Sequence, residues 1–139
     1  AECQDALIFR VEDKETADVV IADLPCSGLG VIGRKADIKY RMSREDMKAL
    51  AKLQREILSV VQAYVKPGGC LIYSTCTVNP EENVENVRWF QKNFSFEPES
   101  LAELLPEGIY SDAMEQGYIQ LMPGEYGTDG FFIARFRRR

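Results

Sequence analysis

Two short segments carry the residue types best able to do chemistry, "DLPCSG" at 23–28 and "STCT" at 74–77. In each, a cysteine directly follows the end of an apolar run, which happens nowhere else in the chain. A cysteine in such a place is either a small core hydrophobe or a nucleophile, and only its thiolate attacks. For a lone cysteine the inert reading is the stronger one. Cys26 and Cys76 together, with Asp23 and Pro25 beside the first and Thr75 beside the second, favour a reactive pair. Asp23 also has a plain alternative, capping the loop that follows it. A thiol with a reference pKa of about 8.5 is mostly protonated at neutral pH, so a reactive pair needs positive potential. Candidate sources are the start of a helix near Pro80 and the cations Lys35, Lys39 and Arg41.

Elements that could position these residues alternate along the chain. "ADVVIADLP" (17–25) is a continuous apolar run ended by Pro25, the pattern of a central parallel strand buried on both faces. A helix follows. Ser43 with Asp46 three residues on predicts its capping box, and Met47, Leu50, Ile57, Leu58, Val61 and Tyr64 mark its apolar side until "KPGG" (66–69) ends it. "CLIYS" (70–74) reads as a second buried strand. Asn79 and Pro80 then open another helix, with Glu81 and Glu82 favourable at its positive end and Val84, Val87, Phe90 and Phe94 as its core stripe. "FEPESL" (96–101) reads as a short strand, and residues 117–139 as two strands joined by a Gly-rich loop, a C-terminal antiparallel hairpin. The expected fold class is therefore α/β, the second half of a doubly wound sheet with flanking helices. In such sheets ligands bind outside the carboxyl ends of the strands, where both cysteines fall.

Composition narrows the function classes. With 139 residues, 45% hydrophobic and 28% charged, the chain is one domain's worth of ordinary globular sequence. No apolar run approaches the ~20 residues of a membrane span, and no basic-then-apolar leader opens the sequence. There is no histidine and no C-x-x-C pair among Cys3, Cys26, Cys70 and Cys76, which argues against zinc. Reduced thiols in a cytosol are expected. The net charge of -5 argues against a uniformly basic surface, yet Arg34, Lys35, Lys39, Arg41, Arg44 and Lys48 cluster, and Arg135, Arg137, Arg138 and Arg139 end the chain. Both clusters have a bland reading as solvated charge. "GLGVIG" matches the dinucleotide fingerprint at Gly28, Gly30 and Gly33, but the aperiodic "RKADIKYRMS" that follows opens no helix there, so the match is a decoy. The opening "AECQDALIF" reads as the end of a strand, and without an initiating methionine the chain is expected to be part of a longer protein.

Taken together, "ADLPCSGLGVIGRKADIKYR", "GGCLIYSTCTVNPEENVENV" and "TDGFFIARF" resemble the Nol/Nop/Sun family of RNA cytosine-5 methyltransferases, and among them the bacterial branch that acts on 16S ribosomal RNA. The resemblance spans nearly the whole chain. It implies a Rossmann-like methyltransferase sheet, S-adenosylmethionine as donor and RNA as partner. Carbon 5 of cytosine is a poor nucleophile, so a thiolate first adds to carbon 6, and the resemblance assigns that attack to Cys76. It assigns product release to Cys26 and contact with the cytosine edge to Asp23. Asp5, Asp23 and Pro25 would lie on the donor side. Arg34, Lys35, Lys39 and Arg41 would grip RNA phosphate around a flipped-out base. The family's glycine-rich donor motif is absent from these 139 residues, as is its N-terminal RNA-binding region, so the chain alone is expected to be inactive. Tyr126 stands where many relatives have histidine, and Ala36 where many have proline. The competing reading is a non-catalytic RNA-binding module that kept the fold. A missing upstream half would also leave an open sheet edge through which the chain could self-associate.

Overall fold

The computed structural model describes residues 2–34, 37 and 42–139. A five-stranded sheet carries β1 (Ala17–Asp23), β2 (Val65–Thr75), β3 (Phe96–Pro98), β4 (Tyr118–Leu121) and β5 (Phe131–Arg138). β1 lies parallel to β2, β5 runs antiparallel on the other side of β2, and β3 and β4 both pair with the far side of β5. Two helices, α1 (Arg44–Val61) and α2 (Val84–Asn93), pack on one face. The β4–β5 hairpin and the alternation of strand and helix are those expected.

Local chemistry accounts for the boundaries. At the start of α1 the Ser43 hydroxyl accepts from the Asp46 N–H at 3.1 Å, and the Asp46 carboxylate accepts from the Ser43 N–H at 2.9 Å. Ala51, Gln54, Ile57 and Leu58 then form its buried side. The helix stops at Val61 and a 3-10 turn (Gln62–Tyr64) leads into β2, so "KPGG" lies inside the second strand instead of ending the helix. The pairing explains why. Ala17 opposes Val65 and Val19 already opposes Cys70, so Lys66–Gly69 bulge out of the ladder, where Pro67 lacks an N–H and Gly68 takes φ 77°. The regularly paired part of β2 begins at Cys70, as "CLIYS" suggests.

The core lies between the sheet and the two helices. Tyr73, Phe90, Phe132, Phe136, Leu58 and Leu71 are its largest fully buried side chains, with the Phe90 ring 4.9 Å from Phe136 and 5.1 Å from Phe96. The opposite face is only partly covered. Leu101, Met114 and Ile119 form a small second cluster there, beside an open apolar groove of about 430 Å³ lined by Val19, Ile72, Leu104, Ile133 and neighbours. This corrects the expectation of a first strand buried on both faces, because β1 has a partner on one side alone among the described residues and leaves Val19 53% and Ile21 70% exposed.

Two other expectations change. Residues 2–10 form no strand; Asp5 instead heads a turn in which its carboxylate accepts from the Leu7 N–H at 2.9 Å, and Phe9 stacks on Tyr64 at 5.7 Å. The four C-terminal arginines are not a solvated tail. Arg135 and Arg137 both pair with Glu99, Arg138 with Glu15 and Arg139 with Glu97. No helix among the described residues is long and apolar enough to cross a membrane.

Candidate active site at the carboxyl edge of the sheet

β1 and β2 end side by side. Asp23 opposes Ser74 in the ladder, and the Ser74 hydroxyl donates to the Asp23 carboxylate at 2.8 Å. Two residues after Asp23 and one after Ser74 then carry the chain to Cys26 and Cys76, the segments pinned together by Leu24 N–H donating to the Ser74 carbonyl at 3.1 Å. The sulfurs of Cys26 and Cys76 come to rest 3.2 Å apart, each partly exposed. Asp23, Pro25, Cys26 and Cys76 are thus gathered at one sheet edge. Burial, and next the hydrogen bond with Cys76, push the Cys26 thiol up to about 12. Cys26 therefore keeps its proton at neutral pH, and the two sulfurs lie within hydrogen-bond reach of each other.

Behind the sulfurs lies a buried polar network that the sequence reading missed. Glu82 is not an exposed acid at a helix end: it is 0% exposed. Its carboxylate accepts from the Ser27 N–H at 2.9 Å, the Ser27 hydroxyl at 2.5 Å, the Gln54 amide at 3.0 Å and the Asn79 amide at 3.0 Å. Ser27 and Thr77, each directly after a cysteine, meet through their hydroxyls at 2.7 Å. Gln54 also donates to the Pro25 carbonyl at 2.9 Å. The Tyr73 hydroxyl donates to the Glu82 carbonyl, and the Asn86 amide reaches Gln54 at 2.8 Å. No buried polar side-chain atom among the described residues lacks a partner, as a network of this kind requires. A signal for it existed: Gln54 is polar at a position on the buried stripe of α1.

The turn that presents Glu82 also changes the helix after Cys76. Pro80–Glu82 is a 3-10 turn, Asn83 breaks it at φ −116° and ψ −98°, and α2 begins only at Val84. Asn83 is held out of helical geometry by the Thr75 hydroxyl donating to its side-chain oxygen at 2.6 Å and by its own amide donating to the Thr77 carbonyl at 2.9 Å.

The glycine run finds its use here. Gly30 donates its N–H to the Cys76 carbonyl at 3.0 Å and accepts at its own carbonyl from the Gly130 N–H at 2.8 Å. It is a backbone spacer between the loop of Cys76 and the loop before β5, and the run itself forms a 3-10 turn over Leu29–Val31. Arg34, expected to meet RNA, lies at the rim and pairs with Asp129 at 3.1 Å. Lys35, Lys39 and Arg41, together with Ala36, lie outside the described residues. Asp5 makes local contacts, in a segment docked on Tyr64, whose hydroxyl accepts from the Arg10 N–H at 3.0 Å. Among the described residues no cluster of potential metal ligands is present.

Comparison with known proteins places these features in a wider setting. The family model described as 16S rRNA methyltransferase RsmB/F matches residues 3–137. A probable ribosomal RNA small subunit methyltransferase B of Bacillus subtilis is 43% identical over 129 residues, covering 91% of this chain and 29% of its own length. The crystal structure of PH0851 superposes with a TM-score of 0.80 at 33% identity, over 90% of this chain and 27% of the other. NSun6 from Pyrococcus horikoshii, solved with SFG, superposes with a TM-score of 0.69 at 28% identity, over 85% of this chain and 29% of the other. The chain thus spans less than a third of the length of each of these three proteins.

Proposed function

The chain belongs to the 16S rRNA methyltransferase RsmB/F family, within the Nol/Nop/Sun group, and from that premise we propose that the protein containing it methylates carbon 5 of a cytosine in 16S ribosomal RNA. The observation that carries the reading is the 3.2 Å approach of the Cys26 and Cys76 sulfurs beside Asp23, at the edge where such sheets bind ligands. A binding module has no use for two apposed thiols.

S-adenosylmethionine supplies the methyl group on its sulfonium sulfur. Residues that fit it here are Asp23 and Pro25, both exposed at the strand end, while the described residues include no glycine-rich cradle for the rest of the donor; Asp5 completes the proposed donor side. The chain by itself is expected to be inactive for that reason.

The family resemblance assigns roles to the chain's own residues, and their placement at one sheet edge supports that assignment. The Cys76 thiolate adds to carbon 6, forming an S–C bond and moving electron density to carbon 5, while Asp23 holds the cytosine edge as ring nitrogen 3 gains a proton. Carbon 5 then takes the methyl group. Release needs loss of the carbon 5 proton, cleavage of the S–C bond and return to solvent of the proton that ring nitrogen 3 took up. Cys26, still a thiol, passes its proton to the departing Cys76 sulfur, and the proton leaving carbon 5 restores the Cys26 thiol. The target base must be flipped out to reach the sulfurs. Arg34 at the rim, with Lys35, Lys39 and Arg41 next to it in the sequence, is the proposed phosphate contact, RNA competing with Asp129 for the guanidinium.

The test uses the intact protein and RNA carrying 5-fluorocytidine at the target, where fluorine at carbon 5 blocks release and traps the adduct. Wild type and Cys26→Ala should form a covalent complex, and Cys76→Ala should form none. An adduct with Cys76→Ala would remove Cys76 as the nucleophile.

A further inference from the structure

We infer that Glu82 is a positioning residue for the two thiols, its buried carboxylate fixing the loop of Cys26 against the loop of Cys76. The inference rests on the proposed reading only for its catalytic consequence, since the positioning itself is a property of the two loops.

Both neighbours of Cys26 are anchored to Glu82 or to its partner. Ser27, directly after it, gives both its N–H and its hydroxyl to the carboxylate, and Pro25, directly before it, accepts from Gln54, whose same nitrogen also donates to Glu82. The loop of Cys76 is tied to the same group. Thr77 meets Ser27 hydroxyl to hydroxyl, and Asn79 donates to the second carboxylate oxygen at 3.0 Å. Cut the carboxylate out and, among the described residues, the direct side-chain ties left between the two segments are the Ser27–Thr77 contact, the sulfurs' own approach and the Ser74–Asp23 bond at the strand ends.

The choice of residue type is chemically narrow. The four groups facing the carboxylate are all donors, and none of the four is a cation. An acceptor-only group with several lone pairs satisfies them all, whereas an amide would turn its NH₂ toward at least one donor. A buried carboxylate whose partners among the described residues are all neutral donors is expensive in a core, and its retention at 0% exposure requires that the donors be held rigidly. That rigidity is transmitted to the two residues on either side of Cys26.

The experiment compares Glu82→Gln with wild type in the intact protein by three readouts. The first is the rate at which diamide joins Cys26 to Cys76, mapped by mass spectrometry; the two thiols lose their hydrogens, the S–S bond forms and diamide is reduced to the hydrazine. The second is kcat and the donor KM with RNA, and the third is the melting temperature. Glu85→Gln, an exposed acid on α2, serves as control. Expected for Glu82→Gln are slower crosslinking and a kcat lower by about 100-fold, the scale of a 1 Å misplacement, with the donor KM unchanged. Wild-type crosslinking in a folded Glu82→Gln protein overturns the inference, even where turnover falls. Should Glu82→Gln fail to fold, Ser27→Ala removes one donor and the Thr77 contact, and wild-type crosslinking and turnover there overturn it equally. Slower crosslinking beside a wild type that forms no RNA adduct supports the positioning role while defeating the nucleophile assignment, so the two failures are distinguishable.

Discussion

The sulfur of Cys26 lies 3.2 Å from that of Cys76, across fifty positions of sequence, and this relationship sets how the fold responds to pH. Burial, then the bond to Cys76, raises the Cys26 thiol from 9.0 to about 12. Between those values the folded chain keeps a proton that the unfolded chain has released. Stability is therefore full below about pH 9 and falls as pH rises toward about 12. Tyr73, also raised chiefly by burial, acts in the same direction. The urea midpoint should decline across this alkaline window, and Cys26→Ala should decline less steeply, retaining the share of Tyr73. An equally steep profile for Cys26→Ala would mean that the thiol does not carry the effect.

The glycine run gives a second prediction with its own control. A Cβ on Gly30 would lie 2.1 Å from the Gly130 carbonyl oxygen and 2.8 Å from that of Cys76. Both are backbone atoms, of residues already hydrogen-bonded to Gly30, and cannot swing aside. Gly30→Ala should cost about 3 kcal/mol or more, beyond ordinary overpacking, and should displace Cys76. Gly33→Ala meets nothing within 4 Å and should stay within about 0.5 kcal/mol of wild type. Denaturant midpoints of the two variants test this directly. Equal effects would return the motif to the status of a single functional unit.

Local signals carried much of this structure in the sequence. The Ser43–Asp46 capping box, the apolar side of α1 and the closing hairpin are nearest-neighbour patterns, and each stands where its residues place it. The convergence of Asp23, Cys26 and Cys76 was legible too, since parallel strands bring their carboxyl ends to one edge. Glu82 was not. Acids at the first turn of a helix are ordinarily exposed, and the tertiary approach of Ser27 and Gln54 turns this one inward. The same limit explains β1: an apolar run shows that a strand is made to be covered on both faces, without showing whether the covering residues belong to the same 139.

That open face yields the last prediction. Val19 and Ile21 are two residues apart, so they point to the same side of β1, and they remain 53% and 70% exposed on a strand whose outer edge is unpaired among the described residues. Val19 also lines the largely apolar groove with Ile72 and Ile133, beside a strand edge that has no ladder partner among the described residues. Such an edge pairs with another copy when nothing else covers it. The isolated chain should self-associate with rising concentration, and Val19→Lys with Ile21→Lys should return it to a monomer in sedimentation equilibrium. In any protein that covers this face, the same pair of substitutions should instead destabilise, because burying one Val or Ile side chain is worth about 1.5–3 kcal/mol and a buried lysine adds its own cost. A monomeric wild-type chain at high concentration would show that this edge is protected by its own twist and charge, and that its apolar residues await no partner.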